Sequence, residues 1–467
     1  MRQISFRDPD GSLRITEDGL IFREVRDHRR EDVLRLLQSE FAQNAIRRGD
    51  LVESWISKSD PVQGPLTLEH RAIAFPNYPH EWSASMLWTA AASTLELAAT
   101  GLRCGFELKD ATPHNQMFNG AARPVFLDLI SFVPDESREF VWRPHGQFVR
   151  TFLYPLLANR YFGLRLDEAL LIHRDGLEPE RMSAMCGSAW RRWTPPFLNL
   201  VTLPVLLGNR DEGSAGFEAR LARDAEESVA IRSGLIQRTR RLIDKYRPRL
   251  AANSITSYLD DQTHYSASDR TRKQGAVSDA LEGTTGKILD VGANTGEYSF
   301  LAARRCPGAS IVSIERDPLA VDHLFERLRA EGEGLSILPL VVDISRPHGA
   351  AGWENTEQSS FLDRAVRAGF DAVLMLGVLH HLLVSERVPL RLVLGLLQRL
   401  TGKKAIVEYV DPADPQFIKI ARGRDALHRD LTPQAFEAEA VQSGFTIASC
   451  VDVNATRKLY TLVRVSR

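Results

Sequence analysis

The chain has 467 residues and a mass of 52.3 kDa, roughly three times the usual size of one domain, so two or three domains are expected. Hydrophobic residues make up 43% and charged residues 25%, a globular composition that excludes disorder along the whole chain. Lysine and arginine number 59 against 60 aspartates and glutamates. The resulting net charge of -1 gives no global attraction for a nucleic acid or a membrane surface.

The four cysteines lie far apart and form no C-x-x-C pair, which argues against a disulfide framework or a structural zinc site and fits a reducing cytosol. They are Cys104, Cys186, Cys306 and Cys450. The N-terminus meets charge before any apolar run, and the longest apolar runs, 197–207 and 374–384, are shorter than a membrane span. We therefore expect a cytoplasmic protein without a membrane anchor.

Taken in chain order, mixed polar and apolar segments run to residue 207, and a polar connection with several glycines follows at 208–216. From 217 to about 250, apolar residues recur at helical spacing, which predicts one or two helices. The sequence thus predicts an N-terminal domain over 1–207, a helical linker over 208–275 and a C-terminal domain over 276–467.

The C-terminal domain alternates short apolar runs with longer amphipathic ones, which predicts a mainly parallel sheet with helices between its strands. A hairpin-like segment at 452–457 joins the last two runs and predicts an antiparallel addition at the sheet edge. The predicted strands are 287–291, 310–315, 336–342, 371–376, 404–409, 446–451 and 458–463.

A glycine loop follows the first of these strands and opens directly into a helix. Its pattern is D-x-G-x-x-x-G, formed by Asp290, Gly292 and Gly296 with Asn294 between the glycines, and it differs from the G-x-G-x-x-G of dinucleotide sites. The glycines are expected to leave room for a ligand near the backbone. The acid disfavours a pyrophosphate, so the loop suits a cationic ligand.

Polar and small residues follow the next three strands at the same edge of the sheet. Glu315 ends the second strand, where a carboxylate can accept both hydroxyls of a ribose. Asp343, followed by Ile344, ends the third strand and can accept an adenine amine while its apolar neighbour flanks the ring. Leu376 and Gly377 end the fourth strand. The carboxyl ends of the strands are therefore expected to form one crevice.

These motifs, together with LGVLHHL at 376–382, resemble the class I S-adenosylmethionine-dependent methyltransferases over residues 276–467. The resemblance implies a Rossmann-like α/β sheet of order 3-2-1-4-5-7-6, with S-adenosyl-L-methionine as the cofactor and Asp290 and its loop at the methionine end. Methyl transfer to an O or N atom needs no metal, but it needs an aligned nucleophile and, for some acceptors, a base. His380 and His381 are the candidate catalytic residues, and packing or capping roles are the alternative.

Other polar residues border the predicted crevice. Glu408 and Tyr409 end the fifth strand and could bind the substrate. Tyr265, Arg270 and Lys273 precede the domain and could cover the cofactor, but a solvated helix leading into the domain is favoured for them.

In the N-terminal half, LKDATPHN and the following PVFLDLISF contain Asp110, Asn115 and Asp128. The spacing resembles the catalytic loop and metal-binding aspartate of protein-kinase-like and aminoglycoside-phosphotransferase-like folds. This implies an α+β kinase-like domain with these three residues as candidate metal-site residues. No G-x-G-x-x-G loop or V-A-I-K strand precedes them, and Arg23 stands where a kinase has lysine. A degenerate, non-phosphorylating domain is therefore expected, with structural turns as the alternative role for Asp110 and Asn115.

The segment PNYPHEWSASM at 76–86, the LKDATPHN loop and the C-terminal domain together resemble a bacterial two-part family that includes the rhizobial nodulation protein NoeA. The resemblance implies methylation in specialised or symbiotic metabolism without fixing the acceptor. The sequence thus favours a methyltransferase for a small metabolite or carbohydrate. It leaves the oligomeric state open.

Three alternative functions remain. An RNA methyltransferase would use the basic stretch from Arg232 to Arg249, although interleaved acids favour a solvated helix face there and make a nucleic-acid partner the less favoured choice. A scaffold would bind the cofactor without catalysing a reaction. A bifunctional kinase and methyltransferase would bind ATP with magnesium through Asp128.

Overall fold

A computed structural model describes residues 2–5, 7–60, 64–208, 221–249 and 265–465. The chain divides into two compact units. The first contains 1–73, 77–118 and 123–248, and the second contains 74–76, 119–122 and 249–467. The predicted polar connection at 208–216 lies, from residue 209 onward, outside the described residues.

The first unit contains a five-stranded antiparallel sheet of order β1-β2-β3-β5-β4, formed by β1 (Arg2–Ser5), β2 (Gly11–Ile15), β3 (Ile21–Val25), β4 (Ser54–Ile56) and β5 (Leu66–His70). Burial alternates along β5, where Leu66, Leu68 and His70 are buried, as expected for a strand with one face on a core. Two further antiparallel pairs, β6 with β9 and β7 with β8, use β6 (Phe106–Leu108), β7 (Gln116–Phe118), β8 (Pro124–Phe126) and β9 (Phe132–Pro134).

A long buried helix, α3, runs through the first unit. Its N-terminus is capped by Ser83, whose hydroxyl accepts a hydrogen bond from the Met86 amide at 3.4 Å. The helices of the unit are α1 (Arg30–Gln38), α2 (Glu40–Arg48), α3 (Ala84–Arg103), α4 (His145–Phe148), α5 (Tyr154–Phe162), α6 (Leu166–Ile172), α7 (Pro179–Cys186), α8 (Ala189–Arg192), α9 (Leu203–Gly208) and α10 (Ala225–Lys245).

The predicted linker does not extend through α10, which is one continuous helix packed on α3 within the first unit. The Trp88 indole donates to the Ile243 carbonyl at 3.1 Å. Arg232 is fully buried and pairs with Asp135 at 2.8 Å and Glu107 at 3.2 Å. The solvated helix face that the sequence favoured is therefore wrong for Arg232. It is confirmed for five other basic residues of the stretch, which are exposed: Arg238, Arg241, Lys245, Arg247 and Arg249.

The second unit is built on a seven-stranded sheet of order β12-β11-β10-β13-β14-β16-β15. Its strands are β10 (Lys287–Val291), β11 (Ser310–Glu315), β12 (Ile337–Val341), β13 (Phe370–Met375), β14 (Thr401–Val410), β15 (Phe445–Asn454) and β16 (Arg457–Arg464). Numbered by their order in the chain, these strands follow the sequence 3-2-1-4-5-7-6 that the resemblance implied. The first five are parallel, whereas β16 is antiparallel to both β14 and β15, so the predicted edge hairpin is confirmed.

The parallel strands are buried on both faces, and all five residues of β12 are buried, because helices cover the sheet. The helices are α11 (Ala267–Ala280), α12 (Glu297–Arg305), α13 (Pro318–Glu331), α14 (Phe361–Ala368), α15 (Leu379–Val384), α16 (Leu390–Leu400), α17 (Pro415–Ala421) and α18 (Pro433–Gln442). Across the described residues of both units, none of the helices combines the length and apolar character that crossing a membrane requires.

Candidate functional site

The glycine loop between β10 and α12 is shaped by close packing. Gly292 has φ +72°, and a Cβ there would lie 2.3 Å from Val378 Cγ2. Gly296 has φ +86°, and a Cβ there would lie 2.2 Å from Leu324 Cδ1. Each glycine makes room for a side chain of the protein itself, and the expectation that the loop leaves room for a ligand stays a prediction.

Asp290 lies beneath this loop and is only 2% exposed. It accepts a hydrogen bond from the Ser299 hydroxyl at 2.6 Å, and Ser299 accepts one from Ser313 at 2.8 Å. Burial raises the pKa of Asp290 to about 6. The sequence predicted that this carboxylate contacts a ligand, whereas in the structure it braces β10 against α12 and is not part of the cavity wall.

A cavity of about 980 Å³ opens at the carboxyl ends of the parallel strands, at the upper end of the size range of ligand sites. Most of the residues predicted to bind the cofactor or substrate line it, and the exceptions are Asp290, Gly296, Glu408 and Tyr409. Those that line it are Gly292, Asn294, Glu315, Asp343, Ile344, Leu376, Gly377, His380 and His381, together with Tyr265, Arg270 and Lys273 from the segment that leads into the domain. The crevice that the sequence predicted is therefore present.

Glu315 is held in the cavity wall by two backbone donors. Its Oε2 accepts from the Asn294 amide at 3.1 Å, and its Oε1 accepts from the Asp317 amide at 3.0 Å. Each carboxylate oxygen has a second lone pair that can accept a ligand hydroxyl. Asp343 is oriented in a similar way, because its Oδ1 accepts from the Ser345 amide at 2.9 Å and from the Ser345 hydroxyl at 2.6 Å.

His380 is 4% exposed, and its ring lies 4.4 Å from the ring of His381. Burial, followed by the neighbouring His381, lowers the pKa of His380 to about 3. The imidazole is therefore neutral at physiological pH and a weak base. Its Nδ1 is buried without a hydrogen-bond partner among the described residues, so this residue is better suited to orienting a ligand than to removing its proton.

A buried polar network lies beside the cavity. The Lys273 ammonium is 2.8 Å from Glu408 Oε2 and 3.2 Å from the Tyr265 hydroxyl, which donates to Glu408 Oε1. Arg457 donates to the same hydroxyl at 2.5 Å and pairs with Asp414 at 2.8 Å. Burial, and then the Glu408 charge, raise the pKa of the Tyr265 phenol.

The lead-in helix was expected to be solvated, and this is wrong for Lys273, which is 5% exposed. Glu408 is fully buried, so it supports the cavity wall from behind. Tyr409 points away from this network: its hydroxyl donates to the Leu431 carbonyl at 2.6 Å and its ring packs on Phe436. The two residues were predicted as a pair, and the alternation of side chains along a strand separates them.

Sequence reasoning missed several residues that line the cavity. Gln416, Lys419 and Ile420 come from α17, Arg422 and Arg424 follow that helix, and Tyr298 and Arg457 come from α12 and β16. The Asp414-Pro415 pair is a helix-start signal that could have placed α17 after β14. No local sequence signal predicts that Arg457 lies at the site, because the pairing of β16 with β14 places it there.

In the first unit, the kinase-like residues already have partners within the protein. Asp128 Oδ1 lies 2.8 Å from the Arg23 guanidinium, and its Oδ2 accepts from the Ser131 hydroxyl. Asn115 donates to the Asp110 carbonyl at 3.4 Å. Burial and the nearby Asp128 charge raise the pKa of Asp110. Within the described residues, no three His, Cys, Asp or Glu side chains are grouped to hold a metal ion.

Residues 77–82 of the PNYPHEW segment have a structural role in the same unit. The Asn77 amide donates to the Phe118 carbonyl at 2.8 Å and accepts from the Phe118 amide at 3.0 Å. The Trp82 indole also donates to the Asn77 oxygen, at 2.9 Å. This segment therefore fixes the strand that follows the LKDATPHN loop.

The strand order, the glycine loop and the acids at the strand ends together give the second unit a class I S-adenosylmethionine-dependent methyltransferase fold. The whole chain is similar to the nodulation protein NoeA of Rhizobium meliloti (strain 1021). The two are 26% identical over 479 residues, which cover 98% of this chain and 95% of NoeA. No family model matches the chain.

Three solved structures show limited likeness to this chain. A SAM-dependent methyltransferase from Aquifex aeolicus is 14% identical, with 41% of this chain and 89% of that chain covered and a TM-score of 0.28. The [4+2]-cyclase SpnF is 15% identical, with 43% and 81% covered and a TM-score of 0.30. Mycolic acid cyclopropane synthase CmaA1 is 15% identical, with 41% and 83% covered and a TM-score of 0.29. At these scores the likenesses carry no weight for function.

Proposed function

We propose that the second unit binds S-adenosyl-L-methionine and transfers its methyl group to an O or N atom of a small metabolite or carbohydrate. We place this activity in the cytoplasm of a bacterium, in specialised or symbiotic metabolism. The class I fold and the likeness to NoeA over nearly the whole chain support the proposal.

The observation that carries the proposal is the position of Glu315. Two backbone amides, at 3.1 and 3.0 Å, hold its carboxylate in the wall of the cavity. A carboxylate at the end of the second strand can accept both ribose hydroxyls of an adenosyl group. Asp343, at the end of the third strand, lines the same cavity and offers an acceptor for the adenine amine.

When bound, the cofactor supplies a methyl group on a positively charged sulfur. The protein then has to align the acceptor atom and exclude competing nucleophiles. The neutral His380, whose Nδ1 lacks a partner among the described residues, can hold the acceptor by a hydrogen bond. His381 lines the same wall.

Calorimetry with S-adenosylmethionine tests cofactor binding. The wild type is expected to bind it and Glu315→Ala to lose binding, whereas the exposed Glu331→Ala, at the end of α13, should bind as the wild type does. Equal binding by all three proteins would contradict the assignment of Glu315. An incubation of metabolite extracts with methyl-labelled cofactor then identifies the acceptor, and binding without transfer to any fraction would favour the scaffold function.

RNA methylation has less support because Arg232 of the basic stretch is buried in an ion pair. If RNA is the acceptor, the affinity of the protein for RNA should fall steeply as salt is added. Weak RNA binding that does not depend on salt would exclude it.

We further propose that the first unit is a degenerate kinase-like domain that does not transfer phosphate. The 2.8 Å pair between Arg23 and Asp128 supports this, because an aspartate neutralised by arginine is a poor magnesium ligand. Calorimetry with ATP and magnesium is expected to detect no binding. Magnesium-dependent binding that disappears in Asp128→Ala would instead support a bifunctional enzyme.

A further inference from the structure

One wall of the cavity is made by α17 and the turn that follows it. Gln416, Lys419 and Ile420 lie three and four positions apart on this helix and line the cavity together, because such residues share one helix face. Arg422 and Arg424, just beyond the helix, also line it. This short stretch therefore brings three cations to the cavity.

The turn that places the two arginines has an unusual backbone. Arg422 ends the helix in the left-handed conformation, with φ +50° and ψ +49°, and Gly423 follows with φ +78°. A glycine or asparagine is usual where a helix ends in this way, and a residue with a larger side chain costs about 1 kcal/mol or more. The Arg424 Nε donates to the Ala421 carbonyl at 3.3 Å, which orients its guanidinium.

The charges deeper in the cavity wall are balanced, and those at the turn are not. Lys273 pairs with Glu408, and Arg457 pairs with Asp414. Lys419, Arg422 and Arg424 are exposed, and no ion pair involves them among the side chains that the structure describes. A net positive charge therefore borders one side of the cavity.

The strand order separates the acids at the strand ends from the basic turn, because β11 and β12 lie on one side of β10 and β14, which precedes α17, lies on the other. Glu315 and Asp343 occupy the ends of the second and third strands, where the proposed function places the adenosyl group. Glu386 is paired with Arg346 at 2.8 Å and with Arg316 at 3.8 Å. The basic turn thus belongs to the part of the cavity left for the acceptor.

We infer that the methyl acceptor carries a phosphate or carboxylate group, which Lys419, Arg422 and Arg424 bind at the mouth of the cavity. This inference rests on the proposed function, because the cofactor's sulfonium adds a further positive charge beside the acceptor. The sulfonium and the cations of the turn would both repel a cationic acceptor, and both attract an anionic one. Arginine is also well suited to bidentate recognition of phosphates and carboxylates.

Anion binding can be measured by calorimetry on protein saturated with S-adenosylhomocysteine. Inorganic pyrophosphate and citrate serve as the phosphate and carboxylate probes, at low ionic strength. The double variant Arg422→Gln/Arg424→Gln is expected to bind the preferred probe roughly tenfold more weakly than the wild type, as expected for the loss of two exposed charge pairs. The preferred probe distinguishes a phosphorylated acceptor from a carboxylate.

The matched control is Arg367→Gln/Arg391→Gln, which removes the same charge from exposed positions of the second unit outside the cavity wall. It should bind both probes as the wild type does. If neither probe binds the wild type more tightly than the cavity variant, the inference is wrong. Binding of S-adenosylhomocysteine separates this inference from the proposed function. If the wild type binds S-adenosylhomocysteine but neither anion, only this inference is overturned. If the wild type does not bind S-adenosylhomocysteine, the proposed function and the inference are overturned together.

A labelled-methyl incubation provides a second test. Metabolite extract is separated by ion exchange into anionic, neutral and cationic fractions before the reaction. Label is expected in the anionic fraction, and its rate of incorporation should fall in the Arg422→Gln/Arg424→Gln variant. Label in a neutral or cationic metabolite, with none in the anionic fraction, would overturn the inference.

Discussion

The two units place acidic residues in opposite electrostatic settings. In the first unit, Asp128 is paired with the Arg23 guanidinium at 2.8 Å. In the second unit, Glu315 is held by two backbone amides and faces a cavity. The donors on Glu315 are neutral backbone amides, so its negative charge has no partner of opposite sign in these contacts, whereas the negative charge of Asp128 is opposed by the Arg23 guanidinium. The partner of an acid, more than its place in a motif, therefore indicates whether it can bind a ligand.

The largest expected effect concerns the buried charges of the second unit. Glu408→Gln would leave the Lys273 ammonium, now 2.8 Å from that carboxylate, without its counter-charge in the core. We expect the free energy of unfolding to fall by about 4 kcal/mol, measured by urea titration. The double variant Glu408→Gln/Lys273→Met should recover much of the lost free energy of unfolding. A loss of stability no greater than that of the exposed Glu331→Gln would show that the pair is not important for folding.

The next effect is on the pH dependence of stability. The pKa of Asp290 in the folded state is raised to about 6 from 3.8. The contribution of this residue to the free energy of unfolding is therefore fully present below pH 3.8 and is lost as the pH rises through about 6. Over this pH range, the free energy of unfolding of the wild type should fall by about 3 kcal/mol relative to that of Asp290→Asn. Urea titrations at several pH values measure the difference. Parallel curves for the two proteins would contradict the raised pKa.

The comparison of the two units predicts that the same acid-to-amide change has different results in each. In Glu315→Gln, one side-chain acceptor is replaced by a donor that faces the amides of Asn294 or Asp317. Affinity for S-adenosylmethionine should fall roughly 100-fold, as expected for one lost charge-assisted hydrogen bond and its misplaced donor. Stability should change little. Calorimetry and circular dichroism measure the two quantities, and unchanged affinity would contradict the role of this acid.

The matched change in the first unit is Asp128→Asn. It leaves the buried Arg23 without a full counter-charge, so stability should fall by about 1 to 2 kcal/mol. Affinity for S-adenosylmethionine should not change, because Asp128 belongs to the other unit. Thermal unfolding and calorimetry provide the two measurements. A loss of cofactor affinity here without loss of stability would remove the contrast between the units.

Much of the second unit could be predicted from its sequence. Each predicted strand overlaps a strand of the sheet, because short apolar runs separated by amphipathic helices are typical of a buried parallel sheet. Glu315 and Asp343 could be predicted to lie in one crevice, and both line the cavity, because the carboxyl ends of parallel strands meet at one edge of the sheet. Asp290 was expected at the methionine end of the cofactor, and the structure places its carboxylate against Ser299 and outside the cavity wall. Sequence spacing places a residue near a site but does not say on which side of a loop its side chain lies, so the role of Asp290 stays a prediction.

The first unit was predicted less well. The linker assigned to 208–275 includes α10, whose buried Arg232 and contacts with α3 place it in the first unit. Its arginines and acids alternate in a way that is typical of a solvated helix, and no local feature distinguishes the one arginine that is buried. The pairing of Arg23 with Asp128 joins residues far apart in the chain, so no local pattern could predict it.

The sequence by itself determined the elements of the second unit, the glycine loop and the acids at the strand ends, because apolar periodicity and turn residues are local properties. Only the tertiary structure decided which charges neutralise one another. Lys273, Glu408 and Arg457 come from three separate elements and meet only when the sheet has formed. Electrostatic interactions depend on distance and burial, so the cations at the end of α17 that have no ion pair among the described side chains could be recognised only after those pairs were known.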